Sequence, residues 1–321
     1  MPTTLVTSAL GIDHPIVQAG MARGFSNAAL VVAVSNAGGL GVLGCLNRPT
    51  DEAVAEIGRI RAATDRPFGV NFVVAHIDWE AFEACLAERV PIVTFFRGEP
   101  ELVVERARAS GALTIYQVTT VAEAEAAVRA GVDMLIAQGS EAGGHVGPTA
   151  LSEILPAVVR VAGGRPVLAA GGIVDGPDLA AALRLGADGA WMGTRFLATP
   201  ESPAHPAHKQ AIVEARPAAT IRTGIWDLIW GRAWPGVQVR AIRNAIVDRW
   251  SGREDEIASQ RDAVNAGIAR AERDGDAAEM DLMAGEGSGR IQSVEPAANL
   301  VRMIAADAER VLADFRGTAA G

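Results

Sequence analysis

The feature that most constrains this chain is an alternation. Short apolar runs rich in β-formers recur at Pro15–Gly20, Leu40–Gly44, Phe68–Val74, Ile92–Phe96, Leu113–Val118, Met134–Gly139, Pro166–Gly172 and Gly189–Phe196. Between them lie alanine-rich stretches of helical period at Ser26–Asn36, Thr50–Ala63, Asp78–Arg89, Glu101–Ala109, Val121–Ala130, Ser152–Val161 and Gly176–Leu185. This is the pattern of a parallel sheet joined by crossover helices, and eight runs suggest closure, so an α/β fold of the (β/α)₈ barrel type is expected. An open doubly wound sheet also alternates, but its dinucleotide fingerprint follows the first strand. Here that strand runs into Gly20-Met21-Ala22-Arg23 instead. The glycines gather after several different strands, which in a barrel is the face that carries chemistry.

Composition removes several function classes. With 321 residues, 49% of them hydrophobic, the chain can bury a large core without disulfides or structural metal. A net charge of -9 provides no basic face for a phosphate backbone, so nucleic acid is not an expected partner. Cys45 and Cys85 have no CxxC spacing and make no disulfide framework, which fits a reducing cytoplasm. The opening MPTTLVTSALGIDHP lacks a basic n-region, and no apolar stretch reaches about 20 residues. Neither secretion nor membrane association is expected.

After Phe196 the alternation stops. Residues 200–285 have no clear strands and are read as a mainly helical cap inserted in the barrel domain, which comprises 1–199 and about 286–321. Four of the six tryptophans, Trp226, Trp230, Trp234 and Trp250, fall in this insert. They are read as helical core between cap and barrel that could also roof a site, and none is assigned a role. Arg240, Arg243 and Arg249 are read as a solvated face. The closing EPAANLVRMIAADAERVLADF is a long amphipathic helix that either closes the barrel or mediates dimerisation, leaving monomer and homodimer both open.

The seventh and eighth units carry the clearest chemistry. VLAAGGIVDG and GAWMGTRF each end a strand in residues of little or no side chain, and unobstructed N–H groups there suit a phosphate. Gly171, Gly172, Gly193 and Thr194 fit that role. In AQGSEAGGHVG, His145 sits among glycines on a loop after the sixth strand, where an imidazole that titrates near neutrality can face a bound substrate. His14 is read as entry-loop structure. His76, His205 and His208 lack a glycine setting, and HPAH has no third ligand, so no metal is expected. Glu141 is the one carboxylate in a glycine-rich loop, whereas Asp133, Asp175 and Asp188 are read as caps or turn closures. Ser140 and Ser152 lack a GxSxG elbow, and Cys45 is read as packing.

Five ordered blocks, HPIVQAGMARGFSNAALVVAVSNAGGLGVLG, FGVNFVV, AQGSEAGGHVG, LAAGGIVDG and GADGAWMGTRFLAT, resemble the nitronate monooxygenases, formerly called 2-nitropropane dioxygenases, and their flavin-reductase relatives. The resemblance covers nearly the whole chain. It implies a TIM barrel with a largely helical addition, and FMN as cofactor. Gly20, Met21 and Ala22 would lie along the isoalloxazine and Asn71 at its polar edge. Gln138, Gly143 and Gly144 would touch FMN, while Gly171, Gly172, Gly193 and Thr194 would cradle its phosphate. His145 matches the family's active-site histidine. The activity implied is oxidation of alkyl nitronates, propionate 3-nitronate among them, with oxygen, giving a carbonyl product and nitrite. The alternative is NAD(P)H-dependent reduction of a quinone or an enoyl thioester. Gln117 and Val73 stand where some reductase-type members have a polar or basic residue. A flavin or sugar-phosphate binding module is a third reading, in which a histidine facing the ring would have no task.

Overall fold

A computed structural model describes residues 3–232 and 234–319, with side chains to residue 315. Its strands are β1 (Ile16–Gln18), β2 (Gly41–Gly44), β3 (Phe68–Val73), β4 (Ile92–Phe96), β5 (Leu113–Val118), β6 (Met134–Gln138), β7 (Gly144–Val146), β8 (Val167–Ala170), β9 (Gly189–Met192), β10 (Thr220–Thr223) and β11 (Gln238–Ile242). Eight of them pair in parallel in the order β1-β9-β8-β6-β5-β4-β3-β2. A parallel bridge between Val17 and Leu40 joins the two ends, so the sheet closes into the expected TIM barrel. The seven crossover helices fall within two residues of their predicted bounds.

Closure makes two cores. Inside the ring, Val17, Leu40, Ile92, Ile115, Ile136 and Leu168 pack together, and Val6 and Leu10 of the short helix Leu5–Leu10 join them. Outside it, strand residues such as Val70, Phe95 and Leu135 pack against the helix layer. Polar side chains fix the ends of these elements. Asp175 accepts from the Asp178 N–H to cap the helix Gly176–Arg184. Asp133 and Asp188 hold the starts of neighbouring strands by accepting from the Thr114 and Val167 N–H groups at 2.9 and 3.0 Å.

The expected eighth strand ends early. At Gly193 the chain leaves the sheet and Thr194–Leu197 turns as a short helix, so GTRF supplies a helix start rather than more strand. The region 200–285 also differs from expectation. It is mainly helical, with Pro206–Glu214, Ile225–Trp230, Ala245–Trp250 and Glu254–Asp274, but it also contains β10 and β11. These pair antiparallel, and β11 pairs antiparallel with β7. His145 is therefore on a strand, opposite Val239, and not on an irregular loop. Strands of three to five residues are too short for a period-2 pattern to be recognised.

Arg240 is likewise not on a solvated face. It is buried on β11, where Nε donates to the Ser140 carbonyl at 2.7 Å and Nη2 pairs with Glu286 at 2.8 Å. Arg243 and Arg249 are exposed and pair with Asp248 and Glu279.

The closing helix, Ala297–Ala319, buries Leu300, Val301, Ile304 and Ala308 in the outer core. It packs against the helices Gly176–Arg184 and Ala28–Asn36, completing the helix ring at the seam between the last and first units. No described helix is long and apolar enough to cross a membrane.

Candidate active site

The ends of the barrel strands open into a cavity of about 740 Å³. Every predicted site residue lines it: Gly20, Met21 and Ala22 after β1, Asn71 on β3, Gln138 ending β6, Gly143, Gly144 and His145 around β7, Gly171 and Gly172 after β8, and Gly193 and Thr194 after β9. Val73 and Gln117 also face this space. Cys45 is not among its walls, being buried beside Cys85. Glu141 serves the turn, where its carboxylate accepts from the Leu151 N–H.

The glycines meet different demands. Gly171 and Gly172 hold φ of +120° and +71°, which side-chain-bearing residues rarely adopt, so the chain after β8 can turn sharply. A Cβ at Gly193 would meet only Ala19 Cβ, at 3.8 Å, so this position looks onto open space. Gly143 answers to packing as well, because a Cβ there would lie 2.8 Å from the backbone of Ala284 and Gly285. The stretch near residue 285 thus lies directly on the glycine-rich loop. Thr194 joins this contact by accepting from the Gly285 N–H at 2.9 Å through Oγ1, which leaves its hydroxyl proton free to donate elsewhere.

Two amides face the cavity. Asn71 Oδ1 accepts from the Thr94 hydroxyl at 2.8 Å, which leaves its NH₂ group unengaged among the described residues. Gln138 is 5% exposed and its Oε1 has no partner among them. An unpaired buried acceptor on a cavity wall is costly unless a ligand satisfies it. Together with the backbone turn at Gly171–Gly172 and the open space over Gly193, it fits a flat heterocycle carrying a phosphate.

In the same cavity wall, His145 Nε2 lies 2.7 Å from Asp227 Oδ1. The imidazole stacks on Trp234 with centroids 3.9 Å apart and planes at 22°, and Trp230 stands 6.2 Å away at a tilt. Trp234 is itself seated against Val73 and Phe96 at the ends of β3 and β4. Asp227, Trp230 and Trp234 are functional candidates to which the sequence alone assigns no role. The available signal was a lone acid inside the aromatic run GIWDLIWGRAW. Arg23 also lines the cavity and is neutralised by Asp281 and Glu272, whereas the Arg232 side chain meets Asn47 Oδ1 at 3.3 Å and no carboxylate among the described residues.

A family model described as nitronate monooxygenase matches residues 3–307. The chain belongs to the nitronate monooxygenase family. It is a flavin-dependent oxidoreductase of the nitronate monooxygenase type. Members and neighbours of this family diverge in what they are named for. A Mycobacterium tuberculosis protein, (3aS,4S,5R,7aS)-5-hydroxy-7a-methyl-1-oxo-octahydro-1H-indene-4-carboxyl-CoA dehydrogenase, is 39% identical over 249 residues, 77% of this chain and 68% of that protein. FabK from Thermotoga maritima superposes with a TM-score of 0.89 at 34% identity, covering 99% of this chain and 100% of its own. Nitroalkane oxidase from Streptomyces ansochromogenes superposes at 0.84 with 32% identity, over 97% and 100%.

Proposed function

We propose that this nitronate monooxygenase family member binds FMN on the strand-end floor and oxidises alkyl nitronates with oxygen, yielding a carbonyl product and nitrite. In this reading residues 200–285 form a cap over the barrel made by 1–199 and 286–321. The observation that carries it is the His145–Asp227 pair, stacked on Trp234, with His145 lining the same cavity as that floor.

Gly20, Met21 and Ala22 would run along the ring system, Asn71 and Gln138 would meet its polar edge, and Gly143 and Gly144 would close over it. Gly171, Gly172, Gly193 and Thr194 would hold the phosphate through backbone N–H groups and one hydroxyl. When bound, FMN supplies a two-electron acceptor that oxygen regenerates. Facing it, His145 would act as the catalytic residue, either taking a proton from a carbon beside a nitro group or, protonated, stabilising a nitronate anion. The Trp230 and Trp234 rings would exclude water from that contact.

A second reading is reduction of an enoyl thioester with NAD(P)H. It draws on the CoA dehydrogenase relative and on Arg232, a cavity-lining cation that meets no carboxylate among the described residues and suits an anionic substrate. One anaerobic comparison separates the two. Propionate 3-nitronate or an alkyl nitronate should bleach the flavin rapidly, with oxygen restoring turnover, while NADH bleaches it slowly. Rapid bleaching by NADH or NADPH with inert nitronates would replace the first reading by the second.

A further inference from the structure

Asp227 is 8% exposed, and among the described residues its carboxylate has a single hydrogen-bond partner, the His145 ring. No arginine, lysine or described backbone N–H meets it. A buried carboxylate is costly unless paired, so this acid is explained by the imidazole rather than by a structural ion-pair network. The ring is held on its face too. Trp234 stacks on it, and Trp234 in turn contacts His76 at 4.7 Å. Asp227 accepts the Arg232 N–H through its own carbonyl at 3.0 Å, in the turn closed by Gly231 at φ +66°. The carboxylate is thus fixed at one edge of the imidazole. At the other edge, Nδ1 has no partner among the described residues, and the residue lines the cavity.

We propose that Asp227 is a positioning residue that acts through His145: by accepting the Nε2 proton it holds the neutral imidazole with its lone pair on Nδ1. Nδ1 is then the atom that takes a proton from the carbon beside a nitro group. In that step the C–H bond breaks and its electron pair becomes the C=N bond of the nitronate. The negative charge moves to the nitro oxygens and the proton goes to Nδ1. The imidazolium so formed faces the Asp227 carboxylate, which stabilises it. A preformed nitronate needs no such step. Asp227 therefore matters for neutral nitroalkanes and little for their anions. The inference rests on the nitronate reading above.

The test uses the full-length, flavin-loaded protein with ¹⁵N-labelled histidine. In the wild type, the His145 signals should show a proton on Nε2 and a bare Nδ1. Asp227→Asn can offer its amide nitrogen to the ring and so favour the opposite tautomer. The variant should oxidise nitroethane about a hundredfold more slowly, the scale of general-base catalysis, while ethyl nitronate loses less than about tenfold. Equal losses on both substrates, or a wild-type ring protonated on Nδ1, would overturn the proposal. If the wild type leaves both substrates untouched, the nitronate reading fails and the spectra alone judge Asp227: a tautomer change in the variant upholds it and an unchanged ring overturns it. Should the variant not fold, the wild-type tautomer decides.

Discussion

Arg23 Nη1 lies 2.5 Å from Asp281 Oδ2, tying the turn after β1 to the segment that returns toward the closing helix. Arg23 also pairs with Glu272 on the helix Glu254–Asp274, so one guanidinium holds two separate segments of residues 200–285 against the turn after β1. Burial pushes the fully buried Asp281 carboxyl up, and Arg23 opposes that shift. Arg23→Met should cost about 2–3 kcal/mol, below the penalty for breaking a fully buried pair, because it strands the buried Asp281 carboxylate while Arg23 itself is part-exposed. An acid whose folded pKa is raised gives stability that is lost as pH rises through that value, so the penalty should be larger at pH 8 than at pH 5. Urea denaturation midpoints at the two pH values check both claims.

The floor glycines make the cofactor assignment testable. The purified protein should release FMN and no FAD on denaturation, as read by chromatography of the pigment. Gly193→Val is the cleanest probe of the phosphate position, since a side chain there meets open space, whereas at Gly172 it would also strain a backbone with φ of +71°. FMN should bind about 5- to 150-fold more weakly, the equivalent of about 1–3 kcal/mol of crowding, with far-ultraviolet circular dichroism unchanged. Undiminished affinity would move the phosphate elsewhere.

His208 predicts a pH limit. Burial lowers its pKa to about 4 despite the bond from its ring to the Met283 carbonyl. Between the ordinary value of 6.5 and about 4, the unfolded chain binds a proton that the native state refuses. Stability should therefore fall as pH drops through that window, by roughly 3 kcal/mol from this group, and be insensitive to it above pH 7. His208→Gln, which keeps a donor for Met283, should flatten the decline seen in thermal unfolding between pH 7 and pH 4.

Cys45 should be inert in the native protein. A hydrogen bond with Cys85 and burial both push its thiol up. Iodoacetamide at pH 8 should leave both cysteines unmodified and label both in urea, as read by mass spectrometry.

The barrel was legible in the sequence because its strands are buried on both faces and read as continuous apolar runs, Phe68–Val73 being the plainest. The floor was legible for a related reason: glycine at strand ends is seldom neutral. The partner of His145 was not. His145 stands beside Asp227, 82 residues away, and only the antiparallel pairing of β7 with β11 brings the two regions together. Arg240 was misplaced for the same reason, since a solvated arginine and one spanning from β11 to Ser140 have the same local sequence.

That small sheet has a consequence for how such proteins diversify. The strand bearing His145 emerges from the barrel, but the groups that hold the imidazole all come from the region after Phe196. An exchange of residues 200–285 between family members would carry Asp227, Trp230 and Trp234 together as one cassette while leaving Asn71, Gln138 and the glycines of the barrel behind. The scaffold and the groups that orient its histidine thus occupy separate stretches of the chain, joined where Trp234 meets Val73 and Arg240 meets Ser140.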